Sequence, residues 1–152
     1  MAGIDGAQAD AQAHGLAVEF RQRPDASSLE EAAALLDIEP REIVKSLIVR
    51  NKHDYLFALI PGDRHIAWPK LRAIVGANKL SMPPADEAFE ATGYEHGTIT
   101  PIGSSRAWPI YADEHIVGRR IAMGAGAHGY SAFVDADALI AAYGAVVADI
   151  SA

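Results

Sequence analysis

The sequence predicts one domain of the α+β class, a mixed β-sheet flanked by helices. The 152 residues fit one domain, since domains usually contain roughly 100 to 150 residues. Half of the residues are hydrophobic and 22% are charged, which is typical of a globular chain. Helix-like and strand-like segments follow one another without the strict alternation of βαβ units, which favours a mixed sheet over a doubly wound parallel one.

The N-terminal part of the chain is predicted to form a helix, a strand and a second helix. The first helix covers residues 5–14, within a segment, 1–15, that we expect to be loosely attached. Residues 17–22 alternate apolar and polar side chains, which indicates a strand. Serine and glutamate stand three apart in residues 27–31, the capping-box pattern that begins an alanine- and leucine-rich helix ending near Pro40.

The middle of the chain is predicted to form a β-hairpin and two short helices. Residues 44–50 and 55–60 are apolar runs rich in strand formers, and turn residues join them. Pro69 suits the first turn of a helix, and Gly93 is placed to end the next one. The two helices are expected at residues 69–75 and 84–92.

The last third of the chain is predicted to contain four strands and one helix. The strands are short runs of β-branched and apolar residues. Gly144 follows the helical segment and is placed to end it. The strands are expected at residues 108–112, 120–123, 130–134 and 145–150, and the helix at 137–143.

Residues 93–103, Gly-Tyr-Glu-His-Gly-Thr-Ile-Thr-Pro-Ile-Gly, are predicted to form a shaped loop. Glycine allows positive φ and close approach of another molecule to the backbone, while proline fixes φ and removes an N–H donor. The three glycines and the proline therefore exclude a long regular element here. Such a loop either turns the chain or binds a ligand, and its own residues do not decide which.

Composition excludes several classes of function. The absence of cysteine excludes disulfides, thiolate nucleophiles and cysteine-ligated metal sites. The net charge of −7 argues against a protein that coats nucleic acid, although residues 41–79 form a basic segment. No apolar run approaches the roughly 20 residues that span a bilayer, and the N-terminus lacks the pattern of a secretion signal. We therefore expect a cytoplasmic protein without membrane contact.

Three other patterns give weak indications of a site. Residues 124–129 match G-x-G-x-x-G, but strand formers follow where a dinucleotide fold needs a helix, which favours a glycine-rich connection between strands. The histidines lack metal-ligand spacing, so neither a metal nor a cofactor is expected. Ser104 and Ser105 lack the nucleophile elbow G-x-S-x-G. His96 and His128 lie inside glycine-rich loops, where side chains tend to line clefts.

Two charged residues are candidates for a functional site. Lys45 shares one face of its strand with Leu47 and Val49. Its side chain is therefore either a structural residue that extends to the rim or a functional cation at the edge of a cavity. Asp113 and Glu114 are adjacent at the end of a strand and point to opposite faces, so one of them, preferentially Asp113, is predicted to face a pocket.

Four segments of the chain carry a family resemblance: Ile43–Arg50, Gly93–Gly103, Trp108–Glu114 and Met123–Tyr130. Together they resemble the YbaK family of aminoacyl-tRNA editing domains, which includes the ProX proteins and the insertion domain of bacterial prolyl-tRNA synthetases. The order and spacing match from about residue 15 to residue 150. The lysine strand, the G-x-x-x-P loop and the late glycine-rich turn are separate signals that agree.

The resemblance implies a curved mixed β-sheet with surrounding helices and an activity that hydrolyses the ester between a wrong amino acid and tRNA. It also implies that Lys45 is required for activity and that the loop lies against the aminoacyl group. Ser46 stands where many members have threonine or asparagine, which leaves the edited amino acid open. The residues expected to bind substrate are Ser46, Gly97, Thr98, Ile99, Thr100, Pro101, Asp113, Gly126 and His128.

The expected chemistry needs no strong nucleophile. An aminoacyl ester requires a positioned water or substrate hydroxyl and stabilisation of the oxyanion that develops on its carbonyl. We expect backbone groups of residues 97–100 to hold the ester, and Lys45 to neutralise charge from the terminal adenosine or the tetrahedral intermediate. A pocket sized for a small side chain excludes proline, which predicts alanine, serine or cysteine mischarged on tRNA, in the first place tRNA for proline.

Two other classes of function also fit the residues. A non-catalytic module would dock on tRNA or on a synthetase and would bind tRNA without hydrolysing it. An esterase or thioesterase would cleave small acyl esters with indifference to added tRNA. The expected partners are mischarged tRNA and, transiently, an aminoacyl-tRNA synthetase, while the oligomeric state stays open.

Overall fold

The computed structural model describes residues 3–152, within which five α-helices and seven strands form a mixed α+β fold. No helix in this range is long and apolar enough to cross a bilayer. Single-turn 3₁₀ helices cover Pro40–Glu42 and Glu114–Ile116. The other elements are α1 (Gly3–Ala13), β1 (Val18–Gln22), α2 (Leu29–Leu36), β2 (Val44–Asn51), β3 (Asp54–Pro61), α3 (Trp68–Val75), α4 (Ala85–Thr92), β4 (Ile110–Asp113), β5 (Arg120–Met123), β6 (Tyr130–Asp135), α5 (Ala136–Tyr143) and β7 (Val146–Ala148).

The strands pair in two sheets. The first is antiparallel and has the order β1-β6-β5. The second has the order β2-β3-β4-β7 and is mixed, since β2 and β3 are antiparallel while β4 lies parallel to both β3 and β7. A single parallel bridge between Ile43 and Ala122 joins the two sheets. The family resemblance implied one curved mixed sheet, whereas the strands form two sheets that meet beside the start of β2.

Strand β3 is the centre of the core because it is buried on both faces. Phe57 and Leu59 belong to the larger hydrophobic cluster, which draws on both sheets and on α1, α4 and α5. Ala58 and Ile60 point to the opposite face and pack with Leu71 of α3 in a second cluster. The apolar run of this strand is continuous because its two faces pack in different hydrophobic clusters.

The helix ends follow the local signals in the sequence. Ser28 Oγ accepts the N–H of Glu31 at 3.0 Å, which is the predicted cap of α2. Gly93 ends α4 with φ +80°, and its N–H bonds Phe89 O. Several strands are shorter than predicted, and the largest difference is at β7, which covers Val146–Ala148 rather than residues 145–150. β4 begins at Ile110 rather than at residue 108, because Pro109 offers no N–H to a ladder.

Helix α1 is packed against the core, contrary to the expectation of a loosely attached segment. Ala7 and Ala11 stand four apart on one face and are 0% and 2% exposed. Their small side chains let α1 lie close to the rest of the chain. The carboxylate of Asp10 adds hydrogen bonds to two other elements. Met1 and Ala2 lie outside the described residues.

Candidate active site

A cavity of about 870 Å³ lies beside strand β2. Its other walls are one face of α2, the start of α4, the loop 93–103, the end of β5 and the start of β6. Ligand cavities commonly measure about 300 to 1,000 Å³, so this one can hold a ligand larger than an amino acid. Four predicted site residues line it: Lys45, Ser46, Gly97 and Ile99.

Lys45 is half-buried at the cavity edge. Strand alternation places it on the same side as Leu47 and Val49, which pack in the second hydrophobic cluster. Its Nζ donates a hydrogen bond to the carbonyl of Arg64. Burial lowers the pKa of Lys45, and the carboxylate of Asp63 partly offsets that effect. An ammonium has three N–H groups, so donors remain for a ligand.

Strand β2 lies at the edge of its sheet and turns that edge toward the cavity. Arg50 exchanges backbone hydrogen bonds of 2.7 and 3.2 Å with Ser81 on the side away from β3. Backbone groups alternate in direction along an antiparallel strand, so Ser46, four residues earlier, directs its N–H and C=O to the same side. The Ile43–Ala122 bridge occupies the other end of that edge. Ser46 therefore presents main-chain groups between two paired positions.

The side chain of Ser46 adds a third polar group. Its Oγ is buried and has no hydrogen-bond partner among residues 3–152. Buried hydroxyls in native proteins are nearly always paired, so an unpaired one beside a cavity is consistent with a bound polar ligand. Ser46 thus combines a hydroxyl, an N–H donor and a carbonyl acceptor at one point of the wall.

The loop contributes fewer side chains to the cavity than the resemblance implied. Gly97 and Ile99 line the cavity, but the alternate residues Thr98 and Thr100 are 3% and 0% exposed and, with Pro101, face inward. Among residues 3–152, the cavity wall does not include these three. The structure thus gives these three residues a supporting role within the loop, and their direct contact with substrate stays a prediction.

Hydrogen bonds within the chain account for the buried threonines. Thr98 Oγ1 donates to the carbonyl of Glu95 at 2.8 Å. The carbonyl of Thr98 accepts the N–H of Gly126 at 2.9 Å. Thr100 Oγ1 accepts the N–H of Ile102 at 3.2 Å. These bonds fix the loop backbone so that Gly97 and Ile99 face the cavity.

The glycine-rich segment 124–129 joins β5 to β6, as predicted, and packs against the loop 93–103. A Cβ at Gly124 would lie 2.3 Å from the carbonyl oxygen of Ile99. Gly126 has φ +84°, and a Cβ there would lie 2.7 Å from the ring of Tyr94. Glycine is needed at both positions because the turn touches the loop. Gly126 contacts the loop rather than lining the cavity, and its contact with substrate stays a prediction.

His128 and Arg23 line a smaller pocket of about 250 Å³ that shares Gly97 with the main cavity. His128 Nε2 lies 3.0 Å from a carboxylate oxygen of Glu95. Arg23 also lines the main cavity and donates from Nε to Ser131 Oγ at 3.0 Å. Sequence reasoning missed Arg23, because only the pairing of β1 with β6 brings it here. Within the described chain, residues 3–152, no group of three His, Cys, Asp or Glu side chains could hold a metal ion.

Asp113 does not face a cavity, which corrects the expectation from its position at a strand end. It is 0% exposed, and its carboxylate accepts the N–H groups of His115 and Ile150, both at 3.1 Å. Burial alone would raise the pKa of Asp113, but hydrogen bonds from Ile150, Ser151 and His115 hold the pKa below its usual value. Asp113 therefore joins β4 to the C-terminal segment.

The region that contains this cavity matches a known family. Residues 23–142 fit the profile of the aminoacyl-tRNA editing domain. The chain belongs to this family. The match covers more than half of the chain and contains Lys45, the loop and the turn after β5. The resemblance to editing domains inferred from the sequence is confirmed.

Solved structures share the whole editing-domain fold with the chain. One, described as "a putative trans-editing enzyme for prolyl tRNA synthetase", is 25% identical with a TM-score of 0.90, over 98% of this chain and 96% of its own. Another, a hypothetical protein, is 28% identical with a TM-score of 0.89, over 97% and 99%. The predicted mixed α+β class is confirmed at the level of the complete fold.

Curated relatives include much longer enzymes. The proline–tRNA ligase of Shouchella clausii is 36% identical over 120 residues, which is 78% of this chain and 21% of the ligase. That of Heliobacterium modesticaldum is 34% identical over 115 residues, or 75% of this chain and 20% of the ligase. The chain spans about a fifth or less of the length of these relatives. The similarity is therefore to one part of each ligase.

Proposed function

We propose that this protein is an aminoacyl-tRNA deacylase that hydrolyses the ester of a small amino acid, alanine, serine or cysteine, mischarged on tRNA, in the first place tRNA for proline. The observation that carries the proposal is the meeting of Lys45, Ser46 and the loop residues Gly97 and Ile99 around one cavity in an editing-domain fold. The ligase relatives and the trans-editing neighbour support the choice of tRNA.

The proposed reaction uses the polar groups of the cavity wall. The N–H of Ser46 and a backbone group of the loop at Gly97 hold the ester carbonyl and stabilise the oxyanion that forms on it. A water molecule supplies the attacking oxygen and gives up a proton. The carbon–oxygen bond of the ester then breaks, and the ribose oxygen leaves with a proton. Lys45 neutralises negative charge on the intermediate or on the terminal nucleotide.

Selection of a small amino acid requires that most of the cavity be filled by something else. A volume of about 870 Å³ is far larger than any amino acid side chain. We therefore propose that the terminal adenosine occupies most of the space and leaves a small remainder beside Ser46. Exclusion of proline then depends on that remainder, in the manner of an editing sieve.

The central test is a panel of tRNAs charged with correct and incorrect amino acids. Lys45→Ala is expected to lower the deacylation rate by on the order of a hundred-fold or more, as the loss of one charge-stabilising group does in comparable sites. Lys79→Ala, at an exposed lysine away from the cavity, is the matched control and is expected to keep the wild-type rate.

Three results would contradict the proposal. Faster cleavage of correctly charged prolyl-tRNA than of any mischarged species would refute the substrate assignment. Full activity of a folded Lys45→Ala variant would refute the role of the lysine. Binding of tRNA without hydrolysis by the wild type would identify a non-catalytic module instead.

We further propose that editing takes place in trans in the cytoplasm, with a transient synthetase complex. The support is the likeness over nearly the full chain to the protein described as a trans-editing enzyme. Co-sedimentation with prolyl-tRNA synthetase, with and without mischarged tRNA, tests the complex.

A further inference from the structure

Helix α1 contacts the end of the loop 93–103 through one carboxylate. Asp10 Oδ2 accepts the backbone N–H of Gly103 at 2.8 Å and the hydroxyl of Tyr143 at 2.6 Å. Gly103 is the last residue of the loop, and Tyr143 is the last residue of α5. One side chain of α1 therefore joins three parts of the fold that are far apart in sequence.

The end of the loop is tightly packed at this point. Gly103 has φ +76°, and a Cβ there would lie 2.6 Å from the Tyr94 hydroxyl oxygen and 2.8 Å from Ala7 Cα of α1. The Tyr94 hydroxyl donates to the carbonyl of Ile102 at 2.7 Å, which closes the loop across its base. Displacement of Gly103 would therefore disturb Tyr94.

Tyr94 links the base of the loop to the cavity wall. Its ring lies against Gly126, where a Cβ would be only 2.7 Å away. Gly126 in turn donates its N–H to the carbonyl of Thr98, the residue between the two loop positions that line the cavity, Gly97 and Ile99. Contacts thus run without a gap from Asp10 to the wall.

The two tyrosine hydroxyls in this network are protonated donors at neutral pH. Burial raises the pKa of Tyr94 to about 12, and the negative charge of Asp10 adds to the effect. Burial, together with the hydrogen bond to Asp10, also raises the pKa of Tyr143. The carboxylate of Asp10 accordingly has the role of acceptor.

We propose that Asp10 is a positioning residue for the editing reaction: it holds Gly103 and Tyr143 so that the loop keeps Gly97 and Ile99 at the cavity wall. The expected change in rate rests on the proposed function, and the expected change in structure rests on the hydrogen bonds and packing contacts between Asp10 and the loop. A reacting group displaced by about 1 Å can cost on the order of a hundred-fold in rate, so a remote residue of this kind affects catalysis.

The experiment compares three variants with the wild type on the mischarged tRNA that the wild type cleaves fastest. Asp10→Ala removes both hydrogen bonds and is expected to lower kcat by about tenfold or more while KM changes by less than about twofold. Asp10→Asn keeps an oxygen that can accept both bonds and is expected to retain most of the activity. Asp5→Ala removes an exposed carboxylate from the same helix and is expected to behave as the wild type.

Amide hydrogen exchange provides a readout that does not depend on activity. In Asp10→Ala the amides of Gly103 and Gly126 are expected to exchange about tenfold faster or more. The Gly103 amide loses its hydrogen bond to Asp10, and the bond from the Gly126 amide to Thr98 is weakened when the loop moves. Asp10→Asn is expected to protect them as the wild type does. If Asp10→Ala fails to fold, Asp10→Asn and Tyr143→Phe still test the network, the latter with an intermediate loss of protection.

The outcomes separate the two proposals. Unchanged exchange at Gly103 and Gly126 in folded Asp10→Ala, or full kcat in that variant, would overturn the positioning role. Equal losses of kcat in Asp10→Ala and Asp10→Asn would also overturn it, since rescue by the amide is its central expectation. If the wild type cleaves no mischarged tRNA while exchange still responds to Asp10→Ala, the proposed function fails and control of the loop by Asp10 stands.

Discussion

Neighbouring residues of strand β2 have different surroundings because side chains alternate between its faces. Lys45 reaches the carbonyl of Arg64 and lies on the side of the second hydrophobic cluster. Ser46 lies on the side of the larger cluster with its hydroxyl unpaired, and its backbone groups face the open edge of the sheet. Two adjacent positions can thus offer a cation and a compact hydrogen-bonding unit to one ligand. A shift of register by one residue would exchange these roles.

Asp113 is expected to stabilise the fold in a pH-dependent way. Its pKa is held below the ordinary value of 3.8, so the carboxylate contributes stability above that pH and loses it as the pH falls through the lower folded-state value. In Asp113→Asn the amide NH₂ must face one of the two donors, His115 or Ile150, and we expect a loss of about 1 to 3 kcal/mol in unfolding free energy at pH 7.

Urea unfolding at several pH values checks this expectation. The difference between wild type and Asp113→Asn should shrink as the pH is lowered below about 4, because the wild type alone loses the contribution. Asp54→Asn, at the exposed first residue of β3, is the control. Parallel pH profiles for wild type and Asp113→Asn would contradict the assignment.

At the scale of elements, two glycines with the same backbone conformation should differ in their tolerance of a side chain. Gly103 and Gly118 have φ of +76° and +78°, so the left-handed backbone alone makes alanine at either position destabilising by about 1 kcal/mol. A Cβ at Gly118 meets nothing within 4 Å, whereas one at Gly103 meets the backbone of Ala7 at 2.8 Å. The loop can accept Gly103→Ala only by moving away from α1.

We therefore expect Gly118→Ala to lower the unfolding free energy by about 1 kcal/mol and Gly103→Ala by roughly 2 to 4 kcal/mol. Chemical denaturation of both variants measures the difference. Gly103→Ala should also slow deacylation, since it displaces the loop that carries Gly97 and Ile99. Equal destabilisation by the two substitutions would show that the contact between Ala7 of α1 and Gly103 does not restrict the loop.

Element ends could be predicted because their signals are local. Ser28 caps α2 through the N–H three residues ahead, and Gly93 ends α4 by adopting a left-handed backbone. The packing of α1 could not be predicted, since alanines at one helix face do not reveal what they approach. Asp10 gives no local sign that its partner is the N–H of Gly103, 93 residues away.

At the scale of the whole molecule, the site is a product of long-range pairing. Periodicity placed Lys45 on an apolar strand face, and the family resemblance added its role and the importance of the loop. The pairing of β1 with β6 places Arg23 against Ser131, 108 residues apart, and no sequence pattern indicates this contact. The open edge beside Ser46 depends likewise on the strand order, which is a property of the complete sheet.

The net charge of −7 gives a prediction about tRNA binding that concerns the entire molecule. Within residues 3–152, Arg23 and Lys45 are the lysine and arginine side chains that line the cavity. Each contact with a phosphate of a single strand changes log K by about 0.7 per unit of log salt concentration, so two contacts predict a slope near 1.4 in magnitude. A protein that recognises only the acceptor end should therefore show a shallow dependence of KM on salt.

Initial rates of deacylation across a series of KCl concentrations measure this slope. Arg23→Gln should reduce its magnitude by about 0.7, because one phosphate contact is removed, while Lys79→Ala should leave it unchanged. A slope of about 4 or more would contradict the prediction and indicate a broad footprint. The basic segment 41–79 would then be the surface responsible, and Lys79→Ala would lower the slope. The salt series thus distinguishes recognition of the acceptor end in the cavity from recognition of the tRNA body outside it.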